Sequence, residues 1–309
     1  MDISVVIPNY NGQELLKKNL PKVFAELAAY KAGKTEVVVV DDKSTDESLE
    51  VLDNFQEKNL RVLVNDKNLG FAPTVNKGVK VTSAQIIILL NTDVYPEKDF
   101  LAPLVKHFND EKLFAVGCLD RSVENGEVVL RGRGLGEWKR GFLVHRRGEV
   151  DKTNTLWISG GSGAFRKSIW EKLGGFNELY APFYYEDIDL SYRALKSGYK
   201  IAFEPKSVVV HEHEKGAIKT KYSESQVKTI AYRNQFIFAW ENATDYSLQL
   251  ANIFWLPFHL VKALISSDWA FYKGFFRALF LLPKIIKSSL NYQKIFIKKD
   301  SEVIRIANA

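Results

Sequence analysis

Carboxylates stand where runs of branched apolar residues end. Asp41 and Asp42 follow Val37-Val38-Val39-Val40, and Asp93 follows Ile86-Ile87-Ile88-Leu89-Leu90 after Asn91-Thr92. Further along, Glu186-Asp187-Ile188-Asp189-Leu190 gathers three acids, and His211 follows Val208-Val209-Val210. Carboxylates accept strong hydrogen bonds from N–H and hydroxyl groups, ligate hard divalent cations, and can take a proton from an attacking hydroxyl. A neutral imidazole can add a nitrogen ligand to such a cation.

Such side chains need a scaffold, and the first third of the chain has the pattern of one. Ile3 to Ile7 is a short β-branched run stopped at Pro8. Leu15, Leu16, Leu20, Val23, Phe24 and Leu27 space a helix over 14–30. The stretch 36–40, unbroken in its apolar residues from Val37 to Val40, is of the kind buried on both faces of a parallel sheet. Asp41 to Asp46 form a polar turn, with Ser44 or Thr45 predicted to cap a helix through Phe55. Strand, helix and strand recur at 61–64, 71–81 and 86–90. This alternation predicts a doubly wound α/β sheet, whose ligands sit beyond the carboxyl ends of its strands. Asp41-Asp42 and Asp93 fall at such ends. The Gly- and Arg-rich stretch 115–165 reads as irregular hairpins and loops. A helix over 168–173, another over 185–196 and a last strand over 200–210 follow.

At 309 residues, with 46% apolar and 26% charged, the chain is neither disordered nor low in complexity. Its one cysteine, Cys118, excludes an internal disulfide framework and any Cys-rich metal site. No basic leader precedes the first strand, so cytoplasmic retention is expected. The net charge of +6 lies wholly in residues 246–309, which hold nine Lys/Arg and three acids. With residues 1–245 neutral, nucleic acid is not an expected partner. Residues 246–283 carry ten aromatics among scattered cations, and no run of about 18 uncharged apolar residues occurs. A clean membrane-spanning helix is therefore not expected. Amphipathic helices peripheral on the cytoplasmic face of a membrane are. The competing expectation packs them on the preceding α/β domain or on a second subunit, as a homo-oligomer.

Six segments in order carry a resemblance: Ile3 to Gly12, Val40 to Asp46, Asn68 to Ala72, Leu90 to Asp93, Gly160 to Arg166 and Tyr185 to Leu190. Over residues 2–215 the chain resembles glycosyltransferase family 2, nearest in character to rhamnosyltransferase-like and galactofuranosyltransferase-like members. The resemblance implies a GT-A fold with a Rossmann-like α/β sheet, to which this chain adds C-terminal amphipathic helices. It implies a catalytic domain over 1–220, with a nucleotide-sugar half at 1–115 and an acceptor half at 116–220. A helical, basic, aromatic-rich region over 221–309 follows. The implied chemistry is transfer from a nucleotide-diphosphate-sugar donor, with inversion, to a glycan or lipid-linked acceptor. A dTDP- or UDP-sugar fits as donor, dTDP-rhamnose among them.

The resemblance also assigns roles. Asp41 and Asp42 would bind the base or ribose, with Pro8 and Tyr10 flanking the base and Asn68 beside them. Asn91-Thr92-Asp93 stands in place of Asp-x-Asp. Asp93 becomes the ligand of a divalent metal, Mn²⁺ or Mg²⁺, and Asn91 a contact to ribose or a water. His211 is a further metal ligand. Asp187 is the general base and Glu186 orients the acceptor; Asp189, by its spacing on a different face of the helix, is structural or a partner for Arg193 at i+4. Trp157, Gly160 and Gly161 would line the sugar pocket. A nucleotidyltransferase would show a Gly-rich basic phosphate loop early in the chain, and a Rossmann oxidoreductase Gly-x-Gly-x-x-Gly; neither occurs. The alternative left open is a catalytically degenerate nucleotide-sugar-binding scaffold of a membrane glycan-assembly complex.

Overall fold

A computed structural model describes residues 1–124, 126–211 and 221–309. Four parallel strands form the first half of the main sheet: β1 (Ile3–Asn9), β2 (Thr35–Asp41), β3 (Leu60–Val64) and β4 (Ile86–Leu90), ordered β3-β2-β1-β4. Alternating side chains build two layers from these runs. Val5, Val37 and Val39 pack against the helix Gln13–Ala29. Val6, Val38 and Val40 pack on the other face, against Phe71–Val81. Strand β1 runs through Pro8 to Asn9 rather than stopping before it. Its pairing with β4 ends at Val6, and Asn9 already bonds toward β2. The missing N–H of Pro8 thus falls where no strand adjoins.

The sheet continues through the region read as irregular. Here β5 (Val94–Pro96), β6 (Leu113–Glu124), β10 (Ser162–Arg166) and β11 (Lys200–His211) extend it in the order β4-β10-β6-β11-β5. Among 115–165, the expected hairpins exist as β7 (Glu127–Arg131) on β6 and as the pair β8 (Gly134–Lys139) and β9 (Phe142–Arg147). The first ten residues of that stretch, however, belong to the long interior strand β6. Gly117 and the polar residues after Cys118 break its apolar signature. The expected cap at Ser44 or Thr45 is absent. The helix there spans Ser48–Asp53 from an N-cap at Glu47 with no side-chain cap, because Ser44 Oγ is bonded to Asp41.

A third core joins the helix Glu186–Lys196 to the tail through Tyr192, Phe236, Phe238, Phe271 and Val303. Buried Asp300 accepts hydrogen bonds from Lys196 Nζ (2.9 Å), Tyr192 Oη (2.7 Å) and the Asp245 amide (2.7 Å). The ion pair Asp189–Arg193 forms as expected, at 2.7 Å and fully buried. Contrary to the composition-based expectation, the helix Tyr246–Ile265 is long and apolar enough to cross a membrane, by length and composition. Its only charge, Lys262, sits near its end, where the rule of an unbroken uncharged run misses the segment.

Candidate active site

The carboxyl ends of β1, β2, β4 and β11 face the segment Pro182 to Asp187, which leads into the helix Glu186–Lys196. Together they enclose one cavity of about 420 Å³. Pro8, Tyr10, Asp42, Asn68, Asn91, Asp93, Gly160, Gly161, Glu186, Asp187 and His211 all line it. That size suits a small-molecule ligand.

Two expected site residues fall outside the lining. Asp41 points the other way from Asp42, as neighbours at a strand end do. Its carboxylate is fully buried, accepting from Asn9 Nδ2 (2.8 Å), the Ser44 amide (2.9 Å) and Ser44 Oγ (2.6 Å), so it builds the turn. Trp157 lies over Gly134 and meets His145 edge-on at 5.4 Å between ring centroids. A side chain at Gly134 would collide with that indole.

Asp42 spends most of its capacity on the loop before Phe71. Its Oδ1 accepts from Asn65 Nδ2 and the Leu69 amide, each 2.8 Å, and its Oδ2 from the Gly70 amide at 2.8 Å. A carboxylate has about four acceptor sites, so one remains for a ligand. Gly70 is required there: its φ is +89°, and an added Cβ would lie 2.8 Å from Pro182 Cα.

His211 ends β11 between two strands that each bring a carboxylate. Strand β5 starts beside Asp93 and pairs Val94 with His211, while β6 runs alongside and carries Asp120. His211 Nε2 lies 3.3 Å from Asp93 Oδ2, and Nδ1 lies 3.1 Å from Asp120 Oδ2. Burial would lower the imidazole pKa, but the hydrogen bonds and charges of Asp120 and Asp93 outweigh it and hold it up to about 9. Asp120 was not among the expected residues. The rule that flagged Asp93, an acid closing an apolar strand, would have found it had Leu113 to Leu119 been read as a strand.

These groups fit a divalent cation shared with a substrate, which would displace the proton from His211 Nε2 on binding. Asp93 and the Nε2 of His211 converge on the cavity, with Asp120 placed to fix the imidazole from behind. Among the described residues no group of three His, Cys, Asp or Glu forms a protein-only metal site. Mg²⁺ and Mn²⁺ take part of their shell from phosphates and water. Asn91 Oδ1 is buried without a hydrogen-bond partner on the same wall, an acceptor left for a ligand. Glu212 and His213, which follow His211, lie outside the described residues.

The acid pair opens its helix from a strained approach. Tyr184 and Tyr185 have φ of +74° and +78°, left-handed values that bulky residues rarely adopt. Asn234 Nδ2, from the helix Glu224–Asn242, lies within 2.9 Å of the Tyr180, Phe183 and Tyr184 carbonyls and braces the segment. Asp187 accepts from the Ile188 amide (2.8 Å) and the Gly160 amide (3.2 Å). Burial raises its pKa above the ordinary carboxylate value, and these amides temper the rise. Glu186 is 6% exposed, its Oε2 has no partner, and burial together with Asp187 pushes it up to about 8. The tail also supplies Lys221, which donates to Asn68 Oδ1 at 3.0 Å and lies 4.4 Å above the Tyr10 ring. Nothing in the sequence around Lys221 marks it.

The sequence profile of Glycosyl transferase family 2 matches residues 4–174, more than half of the chain. The chain belongs to that family. This family 2 glycosyltransferase is 26% identical over 221 residues to the O-antigen chain rhamnosyltransferase RfbN of Salmonella typhimurium, covering 69% of this chain and 67% of RfbN. It is 27% identical to the probable glycosyltransferase YdaM of Bacillus subtilis, and 26% identical to the poly-beta-1,6-N-acetyl-D-glucosamine synthase of Staphylococcus aureus. Those matches cover 67% and 66% of this chain but only 49% and 48% of the relatives, so it spans about half their length. Among solved structures, GalNAc-T7 with UDP, GalNAc and Mn²⁺ superposes with a TM-score of 0.63 at 21% identity, over 80% of this chain and 49% of that one. The mannosyltransferase PcManGT of Pyrobaculum calidifontis, with GDP-Man and Mn²⁺, gives 0.56 at 18% identity, over 94% and 82%. At these identities the likeness shows the fold, which is GT-A.

Proposed function

We propose that this glycosyltransferase moves a sugar, with inversion, from a nucleotide-diphosphate donor to a hydroxyl of a lipid-linked or cell-surface glycan. Asp187 is the general base, and the donor is a dTDP- or UDP-sugar, dTDP-rhamnose among the candidates. One observation carries the reading: a single cavity joins Asp93 and His211 on one wall to Asp187 on another, with each Asp187 oxygen fixed by a backbone amide. The names of the relatives, an O-antigen rhamnosyltransferase and a poly-N-acetylglucosamine synthase, support the acceptor class, and a lipid-linked acceptor would put the reaction at the cytoplasmic side of a membrane.

Asp187 removes the acceptor proton as the hydroxyl oxygen bonds to the anomeric carbon and the carbon–oxygen bond to the diphosphate breaks, its electron pair leaving on phosphate. A carboxylate raised by burial is a stronger base than an exposed one. Burial and the neighbouring Asp187 favour the neutral carboxyl of Glu186, which in that form would donate a hydrogen bond to the acceptor. Asp93 and His211 would hold a divalent cation against the donor phosphates, where it supplies charge neutralisation for the leaving diphosphate. Lys221 adds a cationic side chain beside Asn68 and Tyr10. Tyr10 and Pro8, which line the cavity with Asp42, would flank the base, and Asp42 keeps one acceptor site for it. Gly161 leaves room at Asn91, since a Cβ there would lie 2.6 Å from Asn91 Nδ2.

The stereochemical prediction is tested on the product. Its anomeric configuration, read by the one-bond C1–H1 coupling in NMR, is expected to be opposite to that of the donor. Retention would remove Asp187 from the role of base in a direct displacement.

A further inference from the structure

The helix Tyr246–Ile265 has two unlike sides. On one, Asn252 Nδ2 donates to the Gly141 carbonyl (2.8 Å), Asn252 Oδ1 accepts from Trp240 Nε1 (2.9 Å), and His259 Nε2 meets the Arg140 carbonyl (2.9 Å). These contacts fasten the helix to the protein. On the other side, Tyr246, Leu250, Ile253, Pro257, Val261 and Leu264 recur at three- and four-residue steps and stand exposed, Ile253 at 69%. The next helix, Trp269–Phe280, repeats the device with Trp269, Phe276 and Phe280, the last 88% exposed. Lys273 lies in that same stripe, four residues after Trp269. Exposed apolar surface of this extent marks an interaction site.

The charge around it identifies the occupant. Lys262, Lys273, Arg277, Lys284 and Lys287 are all exposed, and the one acid between residues 246 and 293, Asp268, is bonded to Tyr232 Oη at 2.7 Å. Aromatic residues interleaved with cations suit the headgroup region of an anionic lipid surface. An identical face brought up by two-fold symmetry would set these cations against each other. Spanning is also disfavoured: it would break the Asn252 and His259 contacts and carry both side chains into hydrocarbon.

We propose that this face rests on an anionic membrane surface, with Tyr246–Ile265 lying in the plane of the interface rather than across the bilayer. The inference deepens the membrane-side reading above and rests on it. It fixes the attachment as one-sided and reversible, with the catalytic sheet held above the lipid by the bonded side of the helix.

The test is co-flotation of the full chain with vesicles of phosphatidylglycerol and phosphatidylcholine, against phosphatidylcholine alone, beside the surface variant Ile253→Glu/Phe280→Glu. The expected result is salt-sensitive binding to the anionic vesicles, release by alkaline carbonate, and a loss on the order of a hundredfold in the variant, which removes two inserted side chains. Absence of flotation overturns the proposal. So does resistance to carbonate, or light scattering that shows a dimer abolished by the same two substitutions. Calorimetric binding of uridine and deoxythymidine diphosphates, measured on the same protein with Mn²⁺, reads the catalytic assignment separately. Binding of either without flotation overturns the surface alone, and flotation with neither nucleotide bound overturns the catalytic reading alone.

Discussion

Asp187→Asn is expected to lower transfer by about 10²–10⁴-fold, the usual contribution of a positioned general base, while nucleoside diphosphate affinity stays at its wild-type level. The substitution keeps the shape of the side chain and removes its basicity. It also sets an amide NH₂ against one of the two backbone N–H groups that Asp187 now accepts, from Ile188 at 2.8 Å and Gly160 at 3.2 Å. That mismatch costs roughly 1–3 kcal/mol, within the stability of a domain this size. Steady-state rates and calorimetry on the same preparation separate the two effects. The pH dependence of the residual rate should also lose the contribution of Asp187, whose carboxyl burial holds above the ordinary range, and keep only that of Glu186. Retained transfer would exclude Asp187 as base. Equal losses of transfer and nucleotide affinity would make it a donor-site residue.

Asp93→Ala is expected to abolish the metal-dependent part of nucleotide binding. The remaining donor, His211 Nε2, lies 3.3 Å from the lost carboxylate and cannot hold a hard cation alone. Asp120→Asn gives a graded companion. Asp120 lies 3.1 Å from the Nδ1 of His211 and orients the imidazole without reaching the ligand. Loss of such support costs about 10–100-fold in metal affinity. Titration of Mn²⁺ in the presence of uridine or deoxythymidine diphosphate, whichever the wild-type chain binds, checks both. Wild-type affinity in Asp93→Ala would take the cation site elsewhere.

How far the sequence foretold this site depends on what kind of signal each residue had. Asp42, Asp93 and His211 were legible because each closes a run of branched apolar residues, and such runs become interior strands whose carboxyl ends meet. The same rule could not separate Asp41 from Asp42. Successive residues at a strand end face opposite sides, and only pairing and burial reveal that Asp41 turns inward to Asn9 and Ser44. Asp120 was hidden because Gly117, Cys118 and the polar residues that follow dilute the apolar run of β6. Trp157 looked like a sugar platform, but Gly134 lies beneath it from a hairpin 23 residues earlier, a long-range contact with no local trace. Lys221 and Asn234 reach the site from the tail, past the last recognisable segment. Their places depend on how the tail helices pack, which the apolar pattern announces only as packing of some kind.

The most direct test is calorimetric binding of uridine and deoxythymidine diphosphates to the wild-type chain, each with Mn²⁺ and again with EDTA. Binding of one nucleotide with Mn²⁺ and its loss in EDTA is the expected result, and the preferred base would narrow the donor. Binding of neither nucleotide in Mn²⁺, or equal binding in EDTA, would contradict a cation held between Asp93, His211 and the donor phosphates.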